Sequence, residues 1–179
     1  MNALLENLKK VQGFINEIGM GASFLALPRP KTQLLSYEPA EKHLPEAIYD
    51  KIIEEIEIVE VSRDLFESGY YNLSVSEAFK ALDIFIKKKV GETEASGAKL
   101  VQRVFSVGDP ELVWSDRKTL SEKDHHRGYH LLFQGGFTGI RNPTTHELDW
   151  ITEPEDALDA LMLAQHLLRK AKLAAPPKD

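Results

Sequence analysis

The chain reads as an all-α protein, a bundle of four to five helices behind a helical N-terminal arm. Apolar residues recur at three- and four-residue spacing in one segment after another. Helix-start and helix-stop residues bracket those segments. No internal repeat and no array of alternating strands interrupts them.

The first helix is amphipathic, with Leu4, Leu5, Leu8, Val11, Phe14, Ile15 and Ile18 on one side and Gly19 and Gly21 ending it. Prolines at 28, 30, 39 and 45 then remove backbone donors and disfavour helix before them. Pro28 to Lys42 therefore reads as a linker or extended arm, which makes residues 1–44 an appendage to a bundle in 45–174. Pro45 suits a first helical turn, and Ile48, Ile52, Ile53, Ile56, Val59, Leu65 and Phe66 continue one apolar stripe to a stop at Gly69. Ser74 and Glu77 are spaced as a capping box for the next helix, with Ala78, Leu82, Phe85 and Ile86 inward and Lys87, Lys88 and Lys89 at its negative end. "GAKLVQRVFSV" allows two to three turns, and "GDPELVWSDRKTL" is a loop. Ser121 with Asp124 opens a helix carrying Tyr129, Leu132, Phe133 and Phe137. Its glycines at 135, 136 and 139 lower helix propensity but permit close approach of another backbone. The last helix starts near Pro154, and residues 175–179 form a frayed tail.

Composition narrows the function. The absence of cysteine excludes disulfides, thiolate metal sites and thiol catalysis, and fits a cytoplasmic protein. A net charge of −6 argues against broad, nonspecific duplex binding but leaves room for a local basic cleft. No apolar run is long enough for a membrane span, and the N-terminus lacks the apolar core of a signal peptide.

One stretch stands apart. "GIRNPTTHELDW" sets Arg141, Asn142, Pro143 and His146 within six residues. On a straight helix the five-residue step from Arg141 to His146 turns through roughly 500°, so the side chains diverge by about 140°. Pro143 removes a donor and pushes Asn142 toward an extended conformation, so a helix ending near Arg141 and restarting after Pro143 would bend both side chains into one cleft. The pair suits phosphodiester cleavage. An arginine holds a phosphate through two N–H bonds, and a histidine titrates near neutrality. RNA brings its own nucleophile, the 2′-hydroxyl, so no metal or cofactor is required. The alternative is an ordinary corner with Arg141 salt-bridged to an acid.

"LFESGYYNLSVSEAFKALDIFIKKKVG", "GAKLVQRVFS", "GYHLLFQGGFTGIRNPTTHE" and "EDALDALMLAQHLLRKA" together resemble the Ymh-type family of hypothetical proteins, within the HEPN superfamily (higher eukaryotes and prokaryotes nucleotide-binding). The resemblance runs roughly from Glu60 to Lys172. It implies a HEPN-like helical bundle, commonly dimeric, of the kind found in metal-independent RNases of toxin, CRISPR and phage-defence systems. By that resemblance Arg141 binds the scissile phosphate, His146 transfers the proton and Asn142 orients or assists. Two copies of the motif would face each other across a homodimer, with the glycines allowing the contact. Some HEPN domains only bind nucleotides or partners, so a noncatalytic dimerising module is the competing expectation. A regulatory protein partner is expected from the class.

Supporting candidates are Glu77, which would help position the pair, Lys80 as a phosphate contact, and His130 one to three turns before Arg141. His126 and His130 share a helix face at a spacing that can hold zinc, but no third ligand accompanies them, so no metal is assigned. Trp114 and Trp150 can stack on an unpaired base or anchor a core. No glycine-rich phosphate loop precedes a helix, which disfavours a nucleotide-transfer domain.

Overall fold

The computed structural model describes residues 45–178, together with Glu6, Lys9, Lys10 and Gly13. The chain divides into two units, Met1–Lys42 and His43–Asp179, and the architecture described is that of the second. Glu6, Lys9, Lys10 and Gly13 are helical and exposed, as positions between the stripe residues of the first predicted helix should be. The rest of that helix and the Pro28–Lys42 arm lie outside the described residues.

Helices account for the regular structure: α1 (Pro45–Ile52), α2 (Ile56–Glu67), α3 (Tyr71–Val90), α4 (Gly97–Val104), α5 (Leu120–Gly136), α6 (Asn142–His146) and α7 (Pro154–Leu173). A π-type turn, Phe137–Arg141, joins α5 to α6. Among the described residues there is no strand, only an isolated antiparallel bridge between Val113 and Ala175. That bridge pins the first residue of the expected tail, with backbone hydrogen bonds of 2.7 and 2.9 Å.

α3 runs through the centre, packed on α2 and α7. Val75, Ala78, Phe79, Leu82 and Ile86 bury one face of it, and Leu161, Ala164, Leu167, Leu168 and Ala171 do the same for α7. Both sets keep the helical spacing visible in the sequence, and each large side chain contributes about 1.5–3 kcal/mol by leaving water. Phe105 stacks on Phe133 at 4.5 Å and on Trp114 at 4.9 Å between ring centroids. Trp114 is thus a core anchor, and its indole N–H donates to the Lys170 carbonyl at 2.8 Å.

Three expected helix boundaries are corrected. The stripe from Pro45 to Gly69 is two helices, because the chain breaks at residues 53–55. Gln165 of α7 fills the break: its Oε1 accepts from the Glu54 and Glu55 N–H groups at 2.6 and 2.9 Å, and its Nε2 donates to the Ile52 carbonyl at 2.7 Å. One amide side chain thereby satisfies backbone groups that helix termini otherwise leave bare. α3 begins at Tyr71, so Ser74 does not cap it; Ser74 is buried and donates to the Ser62 carbonyl at 3.0 Å. α5 is opened by a capping box of Thr119 and Glu122, two residues before the Ser121–Asp124 pair. The stop at Gly69 falls as expected, and Gly69 and Gly91 both take the left-handed conformation that glycine tolerates best. Within the lysine run, Lys89 donates to the Ala171 and Lys172 carbonyls at 2.9 and 2.7 Å and caps the end of α7. Burial pushes its ammonium pKa down.

Candidate active site at the end of α5

The helical path does not break at Pro143. Arg141 and Asn142 are both right-handed helical, Asn142 at φ −64° and ψ −49°. The expected extended Asn142 is therefore corrected. A proline inside an α-helix crowds the carbonyl four residues back and supplies no N–H. The wider turn over Phe137–Arg141 relieves that crowding, and the Asn142 N–H donates to the carbonyl of Phe137, five residues back. Insertions of this kind recur at functional sites.

The glycines before the turn divide by direction. A Cβ on Gly136 would stand 3.0 Å from the Phe79 ring and 3.3 Å from Leu167, so Gly136 serves close packing within the bundle. Gly135 and Gly139 meet nothing within 4 Å, and Leu131 and Leu132 beside them are exposed. Of the three glycines, Gly136 is thus taken up inside the bundle, and Gly135 and Gly139 are exposed.

Arg141 is half-buried. Its guanidinium makes one long hydrogen bond, 3.5 Å to the Asn142 Oδ1, and no ion pair with any described acid. Its carbonyl accepts from the Thr144 and Thr145 hydroxyls at 3.0 and 2.8 Å, which fixes the backbone under it. His146 ends α6 and is exposed, in the wall of an open hollow of about 460 Å³ with Glu147 and Trp150. No hydrogen bond joins it to Arg141, and Arg141 is not in that wall. A single copy of the motif thus holds the two side chains on a rigid corner without closing them on each other.

Asn72, which the sequence reading passed over, holds that corner. Its side-chain amide donates to the carbonyls of Thr144 and Glu147 at 3.0 and 2.9 Å, and its Oδ1 accepts from the Ile151 N–H at 3.3 Å. Nothing local in the sequence marks it, because its partners lie more than seventy residues away. A cleft of about 580 Å³ opens beside it, walled in part by Ser76, Glu77, Thr145 and Leu148.

The supporting candidates are placed as follows. Glu77 and Lys80 pair with each other at 3.0 Å. His130 is half-buried, with no partner for its Nδ1 among the described residues. His126 is buried and bonds the Ser106 carbonyl through Nε2 at 3.0 Å; burial pushes its pKa down. Among the described residues no group of three or more His, Asp or Glu side chains is arranged to hold a metal ion. Trp150 is 57% exposed. None of the described helices is long and apolar enough to cross a membrane.

Fold and corner together define a helical-bundle protein whose Arg-Asn-x3-His motif rides on a proline-accommodating π turn. Residues 54–171 match the family model Hypoth_Ymh, described as a protein of unknown function, and the chain belongs to that family. Comparison with curated proteins and with solved structures gives no match.

Proposed function

We propose that the protein is a metal-independent endoribonuclease of the HEPN type, acting in a toxin or phage-defence setting. The observation that carries this reading is Arg141. Arg63, Arg103 and Arg169 are each bound to one or more carboxylates. Arg141 has none among the described residues, and neither have Arg117 and Arg127, but of these three only Arg141 belongs to the Arg-Asn-x3-His motif, in a chain with a net charge of −6. An ordinary corner would have been expected to pair it. A half-buried guanidinium with open donors suits a phosphate, which it grips through two parallel N–H bonds.

In this reading the RNA 2′-oxygen attacks phosphorus, the bond to the 5′-oxygen breaks, and a cyclic phosphate forms. A histidine takes the 2′-hydroxyl proton and a proton returns to the leaving 5′-oxygen, roles that two His146 side chains would divide. Arg141 neutralises the charge that grows on the phosphate oxygens. One copy does not bond Arg141 to His146, so the reading calls for a homodimer in which the two motifs complete each other. Leu131, Leu132, Gly135 and Gly139 offer the outward face for that contact.

The same face favours the second reading, a noncatalytic dimerising module that binds a protein partner or nucleotide. Cleavage of a labelled mixed RNA pool in EDTA separates the two. The wild type should cut and His146→Ala should be slower by about 100-fold or more. Equal cleavage by a highly purified His146→Ala protein sinks the nuclease reading.

A further inference from the structure

The loop leading into α5 gathers positive charge in an otherwise acidic chain. Two adjoining hollows, of about 330 and 390 Å³, share Asp116 and Arg117 in their walls. Val107, Lys123 and His126 complete the first, and Lys118 and Lys178 are among the residues that line the second. Asp116, the one acid among these lining residues, is taken by Lys118 at 2.9 Å. Arg117, Lys123 and Lys178 have no carboxylate within salt-bridge distance among the described residues. Glu122, the next acid along the chain, is occupied by the backbone N–H groups of Lys118 and Thr119 at 2.9 and 2.8 Å.

Arg117 is also the one described non-glycine residue with a positive φ, 54°. Such strain persists only where the surroundings enforce it. Its Nη1 donates to the Val107 carbonyl at 2.9 Å, which tethers the guanidinium at the wall and leaves its other N–H groups for a ligand. His126 forms the floor, buried and bonded to Ser106, so the positive charge comes from arginine and lysine and does not depend on pH near neutrality. Among the described residues no exposed aromatic ring lines either hollow, so the chemistry suits a phosphate group and not a base.

We propose that these hollows anchor a backbone phosphate of the RNA strand at a distance from its cut site, a deduction that rests on the ribonuclease reading. Lys123 and Arg141 stand at opposite ends of the rod formed by α5 and the π turn, about 25 Å apart along it. A strand reaching both would be held at two points, and a dinucleotide at one.

Fluorescence anisotropy with a labelled single-stranded RNA dodecamer tests this, using full-length wild type, Lys123→Glu/Lys178→Glu and Arg117→Gly. The residues changed to glutamate are exposed, and glycine accepts the backbone of Arg117. The double variant should bind the dodecamer about 10-fold or more weakly at low salt, and its slope of log affinity against log salt should flatten by about 0.7, the share of one phosphate. Its turnover of a dinucleotide should not change. Equal dodecamer binding by wild type and both variants overturns the anchor while leaving the nuclease reading in place. Wild type that binds the dodecamer through these residues but never cuts it supports the anchor and defeats the nuclease. Failure of wild type to bind RNA overturns both. Titration of inorganic phosphate separates a strand anchor from a site for the free ion. Phosphate binding lost in Lys123→Glu/Lys178→Glu, with dodecamer affinity unchanged, overturns the strand assignment.

Discussion

The edge formed by α1, α2 and α7 and the corner between α5 and α6 treat charge in opposite ways. At the edge, Arg169 reaches Glu54 and Glu55 at 2.8 and 2.7 Å, and Lys172 reaches Glu55 and Glu57 at 2.6 and 2.8 Å. Gln165 closes the helix break beneath them. Every one of these polar groups has a partner. At the corner, Arg141 and His146 have almost none among the described residues, while the backbone that carries them is tied down by Thr144, Thr145 and Asn72. The difference separates residues that hold the fold from residues that the fold holds. Polar side chains of the first kind should move stability when changed, and those of the second kind should not.

Gln165→Leu should have the largest effect. It strips partners from two N–H groups and a carbonyl at the α1–α2 break, at a cost of about 3 kcal/mol, readable as a lower denaturant midpoint. An unchanged midpoint would show that the break is held by apolar packing alone. Gly136→Ala follows, at about 1–3 kcal/mol, because the new methyl presses on Phe79 and Leu167. Gly135→Ala, one residue earlier and open, should be neutral or stabilising by up to about 1 kcal/mol. Equal losses at the two sites would mean that the outward face is packed in solution.

The edge should also carry a small pH signature. Hydrogen bonds from Lys172 and then Arg169 hold the Glu55 carboxyl below its ordinary value of 4.5. A depressed carboxyl contributes its full stabilisation above that value and loses it as pH falls through the folded pKa. Glu55→Gln should therefore cost less than about 1 kcal/mol at neutral pH, since the network is partly exposed. The variant should also lose less stability than wild type on acidification below 4.5, as followed by thermal unfolding. The smallest shift is the sharpest. Arg141→Ala and His146→Ala should each change stability by no more than about 0.5 kcal/mol. A larger loss would move the corner into the structural class and weaken its reading as a site.

Periodicity made the long helices legible. α3 and α7 keep their apolar stripes, Pro154 opens α7, and Gly69 follows a helix end where glycine is expected. What escaped was settled by distant partners. The break at residues 53–55 depends on Gln165, more than a hundred residues on, and no local rule sees it. Ser74 fits a capping pattern but is claimed by the Ser62 carbonyl, which lets α3 start a turn earlier. The bias of a pre-proline residue toward extended backbone was outweighed at Asn142, where the π turn removed the clash behind it. The motif residues were visible as chemistry, whereas their support was not. Asn72 has no spacing relation to Arg141 or His146, and Glu77 and Lys80, which looked available, bind each other.

Asn72 sets an order of events on the chain. Its bonds close loops of 72, 75 and 79 residues, contacts that form slowly because so much chain must first be gathered. During synthesis α3 emerges well before Thr144 and Ile151, and the side chain that clamps the corner waits for the segment it will clamp. A cell making this protein would carry each nascent copy with its Arg-His corner unclamped until the ribosome has delivered the chain as far as Ile151.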